Sequence, residues 1–142
     1  MKNIIEKYQK LIFKQCRLDC IINMVERTNR YMKFEVEQKR WLRKNVLVAT
    51  FVIETMPGCS GIMVSRASKV EEMFRKKGLG TLLNQMRYEL AKELKYGIVL
   101  CTVRANNQAQ MSVLEKNNWF FICSFNNPHT GNNVNLFGKT IE

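Results

Sequence analysis

Two glycines separated by a single residue, at the start of a predicted helix, are the residues best placed to bind a ligand. Gly78 and Gly80 follow the basic run Arg75-Lys76-Lys77. The first N–H groups of a helix have no partner within the helix, and the helix dipole favours an anion at that end. Without side chains at the two glycines, an anion can approach these amides closely. The pattern suits a pyrophosphate, or it is only a tight turn between a strand and a helix.

A second group of residues lies C-terminal to that loop. The apolar run Ile98–Val103 is succeeded by Asn106-Asn107 and then by Leu114-Glu115-Lys116-Asn117-Asn118-Trp119. The glycine loop is not a Walker loop, because neither GKS nor GKT follows it. It is not a dinucleotide fingerprint either, because the third glycine of that motif would fall at Leu83.

The elements that position these residues follow from hydrophobic spacing. A helix is predicted for 80–95, because leucines and Met86 recur on one face and Gly97 follows. The run 98–103 is apolar on both faces, so it belongs inside a sheet. A short helix is expected over 108–116, ended by Asn117 or Asn118 in the left-handed conformation. Segments 119–125 and 134–141 are predicted to form a hairpin.

The first half of the chain is harder to interpret. Strands are predicted for 46–53, which Met56-Pro57-Gly58 ends, for 62–64 and for 67–74. Residues 10–16 are either a first strand or the end of a helix that begins at Ile4. Asp19 can cap a helix that runs through Val25. A further helical piece is expected over 35–43, with three buried side chains: Phe34, Trp41 and Leu42.

Length and composition are those of a soluble globular protein of one domain, residues 1–142. The 142 residues are 46% hydrophobic and 25% charged, which is ordinary for this class. Five cysteines without CxxC spacing and a single His argue against a disulfide framework and a zinc site. No apolar run is long enough to span a membrane and no signal peptide is visible, so we expect a cytoplasmic protein.

The net charge of +11 attracts anions, and nucleic acid is the obvious candidate partner. However, the basic residues are spread along the chain, and the longest block is 75–77. No helix-turn-helix, zinc-finger or RNA-binding aromatic motif is present. Specific nucleic-acid recognition is therefore not expected, and most of this charge is attributed to solvated surface.

Taken together, the two motifs resemble the GNAT superfamily of acetyl-CoA-dependent N-acetyltransferases. The family carries an (Arg/Gln)-x-x-Gly-x-(Gly/Ala) loop, matched by Arg75, Gly78 and Gly80. It then has a strand, an Asn, and a helix that ends in a Glu-Lys-x-Gly-Phe-like sequence, similar to 107–119. The resemblance covers about residues 46–141. It implies an α/β (α+β) fold with a mixed, mostly antiparallel sheet, flanking helices and a splayed strand pair that binds coenzyme A.

The resemblance also implies roles for particular residues. The pyrophosphate of coenzyme A would bind the backbone of Arg75, Lys76, Lys77, Gly78, Leu79, Gly80 and Thr81. Val70 to Glu72 would line the pantetheine arm, and their N–H groups would stabilise the tetrahedral oxyanion. Asn107 would bind near the pantetheine or the thioester, with Asn106 as the alternative if the register shifts by one. Lys116 completes the predicted cofactor residues.

Catalytic candidates are fewer, because the chain departs from the family at one catalytic position. Leu114 stands where many relatives place a Tyr that protonates the departing thiolate. For the general base we consider Glu71 and Glu72, which are nearest to the expected thioester, and His129, in a loop that often walls the acceptor site. Each also has an ordinary interpretation as a solvated side chain. A cysteine nucleophile is disfavoured, because Cys101 lies in an apolar run.

The predicted partners are acetyl-CoA and an amine acceptor, which is either a small molecule or a protein. No membrane partner is expected, and the sequence leaves monomer and homodimer open. Two alternatives to an enzyme remain: a CoA-binding regulatory module without turnover, and a basic protein that binds nucleic acid or a partner.

Overall fold

The computed structural model describes residues 1–142 and is built on one seven-stranded sheet with three α-helices. The elements, in chain order, are α1 (Lys2–Cys16), β1 (Cys20–Arg27), β2 (Tyr31–Gln38), β3 (Val46–Met56), β4 (Cys59–Val70), a 3-10 turn (Glu72–Phe74), α2 (Leu79–Glu93), β5 (Ile98–Arg104), α3 (Gln108–Lys116), β6 (Phe120–Asn126) and β7 (Asn133–Thr140). No helix combines the length and the apolar character needed to cross a bilayer.

The strand order in the sheet is β1-β2-β3-β4-β5-β7-β6. Every neighbouring pair is antiparallel except β4 and β5, which are parallel. These two strands pair only from Ile62↔Ile98 to Val64↔Leu100, although β4 continues to Val70 and β5 to Arg104. The two strands therefore separate beyond Val64, and the predicted mixed, mostly antiparallel sheet with a splayed strand pair is confirmed.

The core lies between the sheet and the two helices α1 and α2. One face of α2 is buried, with Leu82, Leu83, Met86 and Leu90 against the sheet. The helix α1 packs against α2 and contributes the buried side chains of Tyr8 and Ile12 to the core. The apolar spacing along α2 therefore predicts the observed burial.

The second half of the chain folds as predicted. The helix predicted for 80–95 is α2, the run 98–103 is β5 in the sheet interior, and 108–116 is α3. Asn118 has φ of 60°, so it is the left-handed residue after α3. The predicted hairpin is the antiparallel pair β6–β7.

Three predictions for the first half are wrong. Asp19 does not cap a helix, because the residues that follow it form β1, and the helix predicted for 35–43 is β2 followed by a loop. Alternation decides β2: Phe34 and Val36 are buried while the residues between and beside them are not, which is the period of a strand. Trp41 and Leu42 are 91% and 88% exposed, so neither is buried.

Two other predictions are refined. Of the two alternatives for residues 10–16, the helix is observed, and it begins at Lys2 rather than at Ile4. The strands predicted for 62–64 and 67–74 are one continuous strand, β4, which ends at Val70. Residues 72–74, placed in the second of these strands, form the 3-10 turn.

We predict that Tyr8→Phe destabilises the packing of α1 on α2. The buried Tyr8 hydroxyl donates to Glu89 Oε1 at 2.8 Å, and burial together with that carboxylate raises the pKa of Tyr8. Loss of a hydrogen bond to a charged acceptor should lower the free energy of unfolding by about 1.5–3 kcal/mol. Urea denaturation measures this change.

Tyr88→Phe, on α2, is the matched control. The Tyr88 hydroxyl only accepts from the Glu142 N–H at 3.2 Å, near the chain end, so its removal should change stability by less than about 0.5 kcal/mol. Equal losses in the two variants would show that the Tyr8–Glu89 bond does not hold α1.

Candidate functional site

The gap between β4 and β5 opens into a cavity of about 960 Å³. Residues 65–69 of β4 form one wall and 101–104 of β5 form the other, while α2 closes the bottom with Asn84 and Arg87. The start of α3 and the β6–β7 turn contribute further lining residues: Asn107, Gln110, Asn127, Thr130 and Asn132. The cavity therefore lies where the two strands lose their mutual hydrogen bonds.

A β-bulge shapes the β4 wall. The register between β3 and β4 jumps from Thr50↔Lys69 to Val52↔Arg66, so Ala67 and Ser68 together face one residue of β3. Ala67 has φ of 52°, the left-handed conformation that marks one type of bulge. A bulge re-aims backbone groups out of the ladder. Here it lies on the cavity side of the sheet, with Ser68 in the lining.

The glycine loop makes an open helix start, as the sequence predicts. Gly78 is the N-cap of α2 with φ of 83°, a conformation that favours glycine, and Leu79 is the first helical residue. No side chain caps this end and no acidic residue lies in the first turn. The first N–H groups of the helix are thus available to an anion. Gly80 and Thr81 lie in the same first turn, partly buried.

The three basic residues before the glycines occupy different positions. Arg75 is fixed to the end of β4, since its Nε donates to the Val70 carbonyl at 2.8 Å. Lys76 has φ of 61° and is exposed, and the Lys77 ammonium lies 5.9 Å from the centre of the Phe74 ring. The loop is therefore joined to the strand that forms the cavity wall and carries positive charge beside it.

The loop and the cavity are continuous. A smaller hollow lined by Val70 and Gly80 shares Ser68, Lys69 and Gln110 with the large cavity. A molecule with a phosphate at the start of α2 can therefore extend from the glycines into the gap between β4 and β5.

Asn107 caps α3 and also faces the cavity. Its Oδ1 accepts from the Gln110 N–H at 3.1 Å, which leaves the Nδ2 group without a protein partner. Asn107 lines the cavity and Asn106 does not. Lys116 lies exposed at the opposite end of α3 and outside the cavity, so its assignment to the cofactor site stays a prediction.

None of the three predicted catalytic side chains lines the cavity. Glu71 follows the end of β4 and is paired with the Lys69 ammonium at 3.0 Å, while Glu72 is exposed in the 3-10 turn. His129 is exposed in the β6–β7 turn, between the lining residues Asn127 and Thr130. Their catalytic roles stay predictions, and each would have to act through water or after a movement.

The structure changes the expected source of oxyanion stabilisation. The Glu71 N–H donates to the Val48 carbonyl at 2.8 Å, so it is not free to bind an oxyanion. The expectation that the amides of 70–72 serve this purpose is therefore wrong for Glu71, because that amide completes the β3–β4 pairing.

Two buried polar side chains at the bottom of the cavity were not anticipated from the sequence. Asn84 is 1% exposed and Arg87 is 4% exposed, and both lie on α2. The Trp119 Nε1 donates to Asn84 Oδ1 at 2.9 Å, and the Arg87 Nη1 donates to the Ser68 hydroxyl of the bulge. However, Asn84 Nδ2 and Arg87 Nε have no hydrogen-bond partner. Burial lowers the pKa of Arg87 to about 10, so it remains charged at neutral pH.

The side chains that line the cavity limit the reactions that it can catalyse. No Asp, Glu, His or Tyr is part of it. Cys101 lines it, but burial raises the pKa of this thiol to about 11, so it is protonated at neutral pH and a poor nucleophile. The cavity can bind and orient a ligand, and it contains no residue suited to forming a covalent intermediate.

We compared this chain with known sequences and structures. No protein-family model matches the sequence, and no curated protein matches it significantly. Among solved structures, the ribosomal-protein-S18-alanine N-acetyltransferase from Escherichia coli is 13% identical with a TM-score of 0.65, over 82% of this chain and 72% of the other. The acetyltransferase of the GNAT family from Streptococcus pneumoniae is 17% identical with a TM-score of 0.65, over 81% and 69%.

A Salmonella typhimurium protein solved with its cofactor acetyl-CoA is similar to the same degree. It is 13% identical with a TM-score of 0.64, over 79% of this chain and 65% of the other. Identities this low establish the architecture and not the activity. The resemblance seen in the glycine loop and in the segment 107–119 is thus confirmed at the level of structure: this chain has the fold of the GNAT acetyltransferases.

Proposed function

We propose that this protein transfers an acetyl group from acetyl-CoA to an amine acceptor, by direct attack in a ternary complex. The continuity between the open start of α2 and the cavity carries the proposal. The glycine loop offers unpaired N–H groups and positive charge to a pyrophosphate. The gap between β4 and β5 offers space for the arm that follows it. When bound, acetyl-CoA supplies an acetyl group activated as a thioester.

The protein's own groups have defined tasks in this reaction. The backbone at 75–81 binds the pyrophosphate, and Val70 and the edge of β4 align the pantetheine arm. Asn107 presents its free Nδ2 donor to the same arm. The oxyanion is stabilised by the backbone of the bulge at Ala67 and Ser68, because this irregular part of β4 lines the cavity. In the transfer, a C–N bond forms, the C–S bond breaks, and the amine gives up a proton.

Proton removal is the demanding step for such a cavity. An alkyl amine with a pKa of about 10.4 is neutral about once in a thousand molecules at pH 7, a penalty of ~4–5 kcal/mol. Glu71, Glu72 and His129 are the candidates to relieve it through water. Glu71→Gln, Glu72→Gln and His129→Gln separate them, because loss of a general base lowers kcat by about a hundredfold or more.

A CoA-binding module without turnover is the second candidate function. Two observations favour it. The fully buried Leu114 stands where many GNAT enzymes have a Tyr that acts as the general acid. In addition, no Asp, Glu, His or Tyr lines the cavity. An acetylation assay by mass spectrometry over a broad amine panel separates the two functions. Binding of acetyl-CoA without product from any amine would favour the module.

The role of the glycine loop can be tested through the stabilisation that the ligand provides. Acetyl-CoA at one hundred times its Kd should add ~2.7 kcal/mol to the stability of the protein, a rise in Tm of roughly 4–10 °C. Gly80→Glu should abolish this rise, because it places a carboxylate where the pyrophosphate binds. The fold should persist, since a Cβ at Gly80 meets only Val113 Cγ2 at 4.0 Å.

Gly80→Gln is the matched control, with the same size and no charge. It should lose less affinity than Gly80→Glu, and the difference measures the repulsion between like charges. An undiminished thermal shift in Gly80→Glu would remove the pyrophosphate from this loop.

A further prediction tests the register of the Asn pair. Asn107→Ala should raise the Kd for coenzyme A more than Asn106→Ala, because only Asn107 lines the cavity. Removal of the cap also costs about 1 kcal/mol of stability. Asn107→Ser retains a capping oxygen and lacks the amide donor, so it isolates the contact with the ligand. Calorimetric titration measures the three affinities, and a larger effect at Asn106 would shift the assignment by one residue.

A further inference from the structure

The bottom of the cavity contains two N–H donors that have no acceptor within the protein. Asn84 and Arg87 are one helical turn apart on α2, so their side chains lie on the same face. Asn84 Nδ2 and Arg87 Nε are both buried without a hydrogen-bond partner. Native proteins pair nearly all such groups, because a buried donor without an acceptor destabilises the fold. The arrangement calls for an acceptor supplied from outside the chain.

The orientation of the Asn84 amide is fixed by its neighbour. An indole N–H can only donate, so the atom that faces Trp119 Nε1 must be the Asn84 oxygen. The amide cannot be flipped without losing this bond. Its NH2 group is consequently held as a buried donor in a residue that lines the cavity.

The guanidinium of Arg87 has one edge occupied and one edge free. Nη1 donates to Ser68, whereas the buried Nε has no hydrogen-bond partner. Nε and Nη2 form the edge that binds a carboxylate with two parallel N–H···O bonds. A single neutral oxygen would satisfy only half of this edge.

Charge selects an anion over a neutral acceptor. No carboxylate pairs with Arg87, although leaving a buried cation unpaired is strongly unfavourable. Two other cations of the lining are already paired: Arg66 with Glu54 at 2.6 Å, and Lys69 with Glu71 at 3.0 Å. Arg87 is therefore the buried cation of the cavity that lacks a counter-ion.

We assign this anion to a group other than the pyrophosphate of the cofactor. Arg87 borders the small hollow that Gly80 also lines, but its backbone is eight residues beyond the first residue of α2, about 12 Å further along the helix axis at 1.5 Å per residue. With the pyrophosphate at the first turn, the anion at Arg87 would belong to another part of the donor or to the acceptor.

We infer that the bottom of the cavity binds a carboxylate of the substrate, held by the free edge of Arg87 and by Asn84 Nδ2. This inference rests on the proposed acyl transfer for the role of the ligand. A carboxylate can reach the site from two sources: the far end of a dicarboxylic acyl group on the donor, or the acceptor amine. The chemistry at Arg87 is the same for both.

The test compares ligands that differ only in the carboxylate. In the donor arm, the Kd values of succinyl-CoA and acetyl-CoA are measured by calorimetry. In the acceptor arm, acetylation rates are measured for alanine and for alaninamide. The expected result is a preference of about ten- to a hundredfold for the carboxylate in one arm, the range for a charge-assisted hydrogen-bond pair.

Three variants show whether Arg87 and Asn84 produce that preference. Arg87→Lys keeps the charge and loses the two-pronged edge, so the ratio should fall toward one. Asn84→Asp keeps an oxygen for Trp119 and places an internal carboxylate beside Arg87. It should abolish the preference while keeping or raising Tm, which distinguishes it from a folding defect. Arg27→Lys, an equivalent change on exposed β1, should keep the preference.

The outcomes separate this inference from the proposed function. If acetyl-CoA binds and neither arm shows a preference, or if Asn84→Asp retains it, the carboxylate site is overturned and the acyltransferase stands. If acetyl-CoA does not bind, the proposed function fails, and free succinate decides the site alone. A thermal shift by succinate that disappears in Asn84→Asp would support the site, and no shift in the native chain would overturn it.

Discussion

The site depends on one constraint, the short pairing of the two parallel strands. β4 and β5 share only the registers from Ile62↔Ile98 to Val64↔Leu100 before they part. Backbone groups beyond that point need partners that the sheet no longer supplies. The bulge at Ala67 and Ser68 interrupts the β3–β4 ladder beside this gap. The cavity, its polar walls and its access from the glycine loop all follow from this separation.

The helix α2 contributes to the site at two positions along its axis. Its start, at Gly78 and Leu79, offers unpaired N–H groups, and its second and third turns offer Asn84 and Arg87. Leu82, Leu83, Met86 and Leu90 fix the rotation of the helix by packing into the core. Because the apolar residues set that rotation, both polar features face the same gap in the sheet. The spacing suits a ligand site with an anionic group at each end.

The sequence predicts the second half of the fold well and the first half poorly, for identifiable reasons. Gly78, Gly97 and the leucine spacing punctuate α2 unambiguously, and the uninterrupted apolar run at 98–103 has no alternative to an interior strand. In β2, by contrast, Lys33, Glu35 and Glu37 flank Phe34 and Val36 and conceal a two-residue period behind residues that favour helices. The exposure of Trp41 and Leu42 depends on a loop whose course no local pattern determines. In the site, helical periodicity cannot distinguish a polar residue that faces a cavity from one that faces solvent, which concealed Asn84 and Arg87.

The charge of the cavity bears on the step for which the lining provides no base. Arg87 and Arg104 line it, and no acidic side chain does. Nearby positive charge disfavours the protonated form of a bound amine and lowers its pKa. Each unit by which the pKa falls raises the neutral, nucleophilic fraction about tenfold at pH 7. In the proposed carboxylate site, the bound carboxylate would neutralise Arg87, so the charge that favours loss of the amine's proton would come from Arg104.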